Sequence, residues 1–351
     1  MGVRRIAELA GISIGAVSMA LNDSPNVSEE TRRRVRKIAK SLNYRPNAKL
    51  GEFMSHIRAA APNKATDGCI GVMSFHPTPR PWEASVHHTR IYSGMTTRAE
   101  ELGYRLESLW LRAPGMTHRR FRSILEARGI QGLICFSSPV DGQAFPTDLD
   151  RFAIVTISLT IRTPLHRVTT HFFNDTWTIL EKLYELGYRR PGLLIGPNDD
   201  HCSGHACTSA YFGWCRHRLG FEQPVPPHIV ERLDGNEFAH WFGRHRPDSI
   251  VLMHGYDKAL PEFNSILRKQ GIAVGRDVGV AVGWQILDRA GYSGVQVNQH
   301  LMGSWAVELL VNRIMNKDVG IPSNPRVEMI ESQWVDGTSL RECAPTQAVA
   351  L

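Results

Sequence analysis

From residue 69 to residue 283 the chain alternates short, unbroken apolar runs with helix-length segments, and few architectures accept that pattern. A strand that is apolar along its whole length must be covered on both faces, which a parallel sheet flanked by helices provides. The runs are 69–75, 132–136 and 153–157, with a more polar strand over 105–111 and a helix over 91–102 that Gly103 closes. After Pro164 the pattern restarts. A strand near Val168 leads to a helix over 176–186, a strand over 193–196 and a helix over 206–219. Strands over 249–253 and 278–283 enclose a further helix over 260–270. Two parallel α/β units in tandem are therefore predicted.

The first fifty residues are of another kind. Residues 4–22 read as helix, tight turn and second helix, with Gly11 at the turn, where a crowded or left-handed backbone excludes a β-carbon. Ser13 is placed to cap the second helix by accepting from a free backbone N–H. Ser28, followed by Glu29 and Glu30, opens a third helix with two carboxylates at its positive end. Ile6, Ala7, Ala10, Val17, Leu21, Val35, Ile38, Ala39 and Leu42 recur at helical spacing and close one small core. The outer face is basic. Residues 1–61 hold eleven Lys/Arg against five Asp/Glu, so +6 of the chain's net +7 lies there. A near-neutral body under a concentrated basic head suits phosphate neutralisation better than general solubility.

With 351 residues the chain exceeds one ordinary domain. It shows no secretory signal and no apolar run of membrane-spanning length. Six scattered cysteines lack an extracellular framework and read as reduced thiols of a cytoplasmic protein. Pro46 ends the third helix region, Leu50, Phe53, Met54 and Ile57 then recur at helical spacing, and 59–67 is a small, polar linker. The expected divisions are a head over 1–46, a hinge helix and linker over 47–67, a body over 68–340 and a tail over 341–351.

The order Ile6-Ala7, Ala10-Gly11-Ile12-Ser13, Ala16-Val17-Ser18, Ala20-Leu21-Asn22, Val27-Ser28, Thr31-Arg32, Val35 and 42–47 is highly specific. In it the head resembles the lactose-repressor (LacI/GalR) family of bacterial transcription regulators. Independent matches follow at 185–190, 246–251, 271–280, 303–310 and 334–340, so the resemblance spans about 3–340. It implies an all-α helix-turn-helix head and an α/β effector region of two Rossmann-like lobes, the type I periplasmic-binding-protein fold. It also implies three chain crossings between lobes, assigned to 158–164, 287–293 and 317–325. Lobe 1 is then about 68–160 and 292–322, and lobe 2 about 163–289 and 325–340. Arg4, Arg5, Ser13, Ile14, Gly15, Ala16, Ser18, Met19, Asn22, Ser28, Thr31, Tyr44 and Asn47 become the DNA-facing residues. In the family a hinge helix pushes an apolar side chain into the minor groove, and Phe53 with Met54 stands at that place.

The departures concern specificity. Members of the family often present an arginine where this chain has Met19, and polar side chains at Ile14 and Gly15. Arginine to guanine is the commonest specific base contact, and apolar side chains offer contact only to thymine methyls. Operator reading is then weak, A/T-biased or dependent on Arg4 and Arg5. In the body, ligand is expected between the lobes at the carboxyl ends of strands. There the family's arginine falls at Cys207, its aspartate at Gln285, and its Asn-Asp pair at His254-Gly255. Cys207, His254, Trp284, Gln285 and Gln299 are the candidate effector contacts. Loss of the charged pair that grips hydroxyls or carboxylates argues against a standard hexose.

Two alternatives stay open. The 201–217 segment gathers His201, Cys202, His205, Cys207, Cys215 and His217, which suits metal or thiol sensing, although no Cys-x2-Cys spacing is present. DNA binding without any effector is the other. Nucleotide, metalloprotease and nucleophile-elbow motifs are absent, the pair Asp199-Asp200 reads as a solvated loop, and no enzymatic activity and no cofactor are expected. The sequence thus predicts a cytoplasmic, dimeric repressor of double-stranded DNA. Its operator is a pseudo-palindrome and its effector a small molecule between the lobes; it has no membrane partner.

Overall fold

The computed structural model describes residues 3–21, 27–42, 68–83, 85–138, 149–220, 223–253, 260–283 and 291–341. The chain divides into two compact units, Met1–Asn63 and Lys64–Leu351.

In the first unit, α1 (Val3–Ala10), α2 (Ile14–Leu21) and α3 (Glu29–Ser41) pack around Ile6, Ala7, Ala10, Val17, Ala20, Val27, Val35 and Ala39. Leu21, Ile38 and Leu42 pack against this core while half-buried. So few large side chains make a small core, and the caps matter accordingly. Gly11 turns the chain at φ +64°, a region open to glycine without strain. Ser28 caps α3 by accepting from the Thr31 amide, and Glu29 and Glu30 occupy the first turn.

The second unit contains two six-stranded sheets. In sheet order the first is β11 (Val327–Ile330), β5 (His166–Thr170), β4 (Ala153–Ile157), β3 (Ile130–Cys135), β1 (Gly68–Ser74) and β2 (Tyr104–Trp110), all parallel. The second is β12 (Gln333–Val335), β10 (Ser293–Gln296), β9 (Gly279–Val282), β8 (Ser249–Leu252), β6 (Pro191–Ile195) and β7 (His228–Ile229). Only β12 runs antiparallel. Strands β1, β4, β6, β8 and β9 are buried throughout, as their apolar text requires.

Helices α4 (Val86–Glu101) and α5 (His118–Ala127) belong to the first lobe. The second lobe carries α6 (Phe172–Glu185), α7 (Pro197–Cys202), α8 (Ala206–Leu219), α9 (Gly235–His245) and α10 (Leu260–Lys269). The last helix, α11 (Gln299–Asn316), packs on α4 and on strands β3, β4 and β5, so it returns to the first lobe. Its approach to α4 is close. A β-carbon at Gly94 would overlap the His300 carbonyl, and one at Gly303 would overlap that of Ile91.

Sheet membership moves all three expected crossings. Strand β5 is still in the first sheet and α6 is in the second lobe, so the first crossing is at 171 and not at 158–164. The second lies between β10 and α11, at 297–298 and not at 287–293. The third lies between β11 and β12, at 331–332 and not at 317–325. Lobe 1 is therefore 68–170 and 299–330, and lobe 2 is 172–296 and 333–340. The physical reason is local. The Pro-containing 158–165 segment resembles a linker, but buried Arg167 ties it to its own lobe through the carbonyls of Ser158, Ile161 and Thr163. Likewise 318–326 is a return loop, held where Arg313 donates to Asp318 and to the Gly320 carbonyl.

Candidate nucleic-acid interface and ligand cleft

Helix α2 begins where Gly11 and Ser13 place it. The Ser13 hydroxyl accepts from the Ala16 amide at 3.1 Å, which satisfies one of the free donors of a helix start. Ser13 is exposed, and Ala16 half-buried, at this end of the helix, while Val17 and Ala20 face the core. At α3, Ser28 is exposed and its hydroxyl lies 2.9 Å from that of half-buried Thr31. Two hydroxyls at the amino end of a helix, whose free amides favour an anion, are suited to a phosphate oxygen. Arg33, Arg34, Arg36, Lys37 and Lys40 are exposed along the same helix. Arg32 is instead turned back, donating to the Val27 carbonyl and pairing with Glu29 at 3.5 Å. The side chains of Arg4, Arg5, Ile14, Gly15, Ser18 and Met19 lie outside the described part, as do Asn22, Tyr44, Asn47, Phe53 and Met54 altogether.

In the body the three crossings leave the carboxyl ends of β5, β10 and β11, the side on which open α/β sheets bind ligands. Cys207 does not line the expected cleft. Its side chain is fully buried in the core with Tyr211 and Trp214, and burial pushes its thiol up to about 12. The expected role of Cys207 as an effector contact is therefore corrected: α8 turns that position inward. Cys215 is buried too, its thiol raised by burial to about 11. A thiol so raised stays protonated and is a poor redox or metal ligand. Among the described residues no group of three or more His, Cys, Asp or Glu could hold a metal ion.

Gln299 opens α11 at the second crossing and is buried at 2% exposure. Its Nε2 has no hydrogen-bond partner among the described residues. His254, Trp284 and Gln285 lie outside the described residues. Asp199-Asp200 is not a loop. Both residues are in α7, and Asp200 is 5% exposed, with its carboxylate 2.8 Å from His205 Nδ1 and 2.9 Å from the Thr208 hydroxyl. Sequence reasoning also passed over Arg162 and Arg167. Arg167 shows no outward sign of burial in a strand that begins His166-Arg167, because its partners are backbone carbonyls.

Near His76, where β1 ends, the first lobe presents an aromatic wall. His76 Nε2 is 2.7 Å from the Ser137 carbonyl, and its ring stands edge-on to His88 and Phe136. Burial lowers its pKa, so the ring is neutral at pH 7. Trp82 stacks on Tyr92 at 4.1 Å beside it.

Comparison with known proteins now bears on both units. Residues 3–47 match the family described as bacterial regulatory proteins, lacI family. The head is a lacI-family helix-turn-helix domain. Residues 180–340 match the periplasmic binding protein-like domain. GalR of Salmonella typhimurium is 46% identical over 46 residues, 13% of this chain and 14% of that protein. Catabolite control protein B of Bacillus subtilis is 47% identical over 45 residues, again 13% and 14%. Such matches span about one seventh of those relatives' length. The PurR repressor of Aliivibrio fischeri is 24% identical over 344 residues, 90% of this chain and 92% of that protein. Among solved structures, a CelR–cellobiose complex superimposes with a TM-score of 0.59 at 20% identity, covering 97% of this chain and 99% of that one. The Lac repressor dimer bound to operator and the anti-inducer ONPF gives 0.58 at 18%, with the same coverage. These structures establish the fold: a helical head and two parallel-sheet lobes of the type I periplasmic-binding-protein kind. Among the described residues no helix is long and apolar enough to cross a membrane.

Proposed function

We propose that this chain is a sequence-specific DNA-binding repressor, active as a homodimer on a pseudo-palindromic operator in the cytoplasm. The observation that carries the reading is the head. A reading helix is fixed at its start by Gly11 and the Ser13 cap, beside an α3 whose exposed cations suit the phosphate backbone. A twofold dimer would present two such helices about one DNA turn apart. Ser13, Ile14, Gly15, Ala16, Ser18, Met19 and Asn22 would face bases or phosphates, with Arg4, Arg5, Ser28, Thr31, Tyr44 and Asn47 positioning the head. Phe53 and Met54 would supply the minor-groove wedge.

Control would come from a small ligand between the lobes, with lobe movement passed to the hinge. Gln299 supports that reading. A buried amide N–H without an acceptor costs about 1–3 kcal/mol, and a ligand acceptor would relieve it. His254, Trp284 and Gln285 would complete an aromatic and polar lining in place of the charged pair typical of the family. The relatives are regulators, and no catalytic role is proposed.

Chromatin immunoprecipitation of the chain from its own cell tests the function. A few discrete sites sharing an inverted repeat are expected; even coverage of the genome would overturn sequence-specific repression in favour of nonspecific binding by a basic head.

A further inference from the structure

Between β4 and β5 the 158–165 loop of the first lobe faces the second. There Arg162 Nη2 lies 2.7 Å from Nε2 of His201, on α7. A guanidinium only donates, so Nε2 of His201 is the acceptor. The two side chains belong to different sheets' lobes, so the bond spans the gap between them. The lobes approach at a second point, where a β-carbon on Gly204 would stand 3.9 Å from Leu159 Cδ1.

Both ends of the bond are held. On the first lobe, Arg167 is 9% exposed and donates to the carbonyls of Ser158 (3.4 Å), Ile161 (3.3 Å) and Thr163 (3.2 Å). Ser158 is held at φ +73°, a left-handed conformation unusual for a residue with a β-carbon, and such strain collects where the chain must aim a group. The Thr160 hydroxyl accepts from the Ser138 amide at 2.9 Å and fixes the loop from the other side. On the second lobe the His205 ring stands edge-on to His201 at 5.3 Å, with its Nδ1 anchored on buried Asp200. Both partners are exposed side chains, but each is carried by a segment that these bonds hold in place.

We propose that Arg162 and His201 form a clasp that holds the two lobes of the body together. The tether between lobes is then built from the protein's own side chains. Only the consequence for DNA rests on the effector-controlled reading given above.

Small-angle scattering of the full-length chain without ligand tests it, on Arg162→Ala, His201→Leu and His201→Gln beside the wild type. Both partners are exposed, so the folds should survive, and circular dichroism checks this. The clasp predicts a larger radius of gyration for R162A and H201L, and the wild-type value for H201Q, whose amide oxygen restores an acceptor. Scattering from folded R162A that superimposes on the wild type would overturn it. Operator affinity measured on the same proteins separates the two readings. Altered scattering with unaltered DNA binding keeps the clasp and removes the coupling of lobes to head.

Discussion

In the helix proposed to read DNA, position 19 is a methionine, whose thioether would offer DNA an apolar, polarisable surface but no hydrogen-bond donor. Met19→Leu should therefore bind the operator within about threefold of wild type, whereas Met19→Asp should lose about tenfold or more by placing a carboxylate against phosphates and base edges. Fluorescence anisotropy with a labelled operator reads both, and an Asp variant of normal affinity would remove Met19 from the interface. Gln299 gives a second residue-scale prediction. Replacing it with leucine deletes the unpaired amide and should raise body stability by about 1 kcal/mol while weakening effector binding. A lower melting temperature for Gln299→Leu would mean that its amide is satisfied after all. Single residues also mark the limit of what sequence alone conveys. Ser13, Gly11 and Ser28 are legible because caps and turns are local chemistry. Asp200 is not, because its burial depends on His205 adopting φ +61° to bring an imidazole back over it.

Among elements, the pairing of α4 with α11 is the most exacting contact of the body. Gly94 and Gly303 let two backbones meet where any β-carbon would overlap a carbonyl. Gly303→Ala should cost about 1–3 kcal/mol, seen as an earlier midpoint in urea; an unchanged midpoint would show that the helices can separate freely. The strands were legible for a related reason: a run such as 153–157 is apolar on both faces and has only one place to go. The crossings were not. Pro164 and the polar text around it look like a link between lobes, and only the Arg167 bonds to backbone carbonyls show that the loop belongs to the first. The small helix α7 and helix α9 were missed because neither carries a long apolar stripe.

For the molecule as a whole, histidines with lowered pKa values shape the response to acid, and among the described residues His76, His166 and His228 are more buried than His245. Burial lowers the pKa of His76, His166 and His228, with Arg313 also opposing the charge on His166. The unfolded chain therefore takes up protons near its ordinary value of about 6.5 while the folded chain resists them. Stability from these groups is full above that pH and declines as pH falls below it, until the folded values are passed. Melting temperatures at pH 7.5, 6.5 and 5.5 should fall in that order, less steeply in His228→Leu, which removes a buried ring whose Nε2 has no partner among the described residues. A melting temperature that rises toward pH 5.5 would contradict the assignment.

The central claim is that the +6 head reads a sequence and does not merely attract phosphate. Selection of the full-length chain on a randomised DNA pool at near-physiological salt addresses it most directly. The account predicts recovery of one inverted repeat, with half-sites about one helical turn apart and A/T-rich positions under Ile14 and Met19. Recovery of unrelated sequences at equal affinity would contradict it.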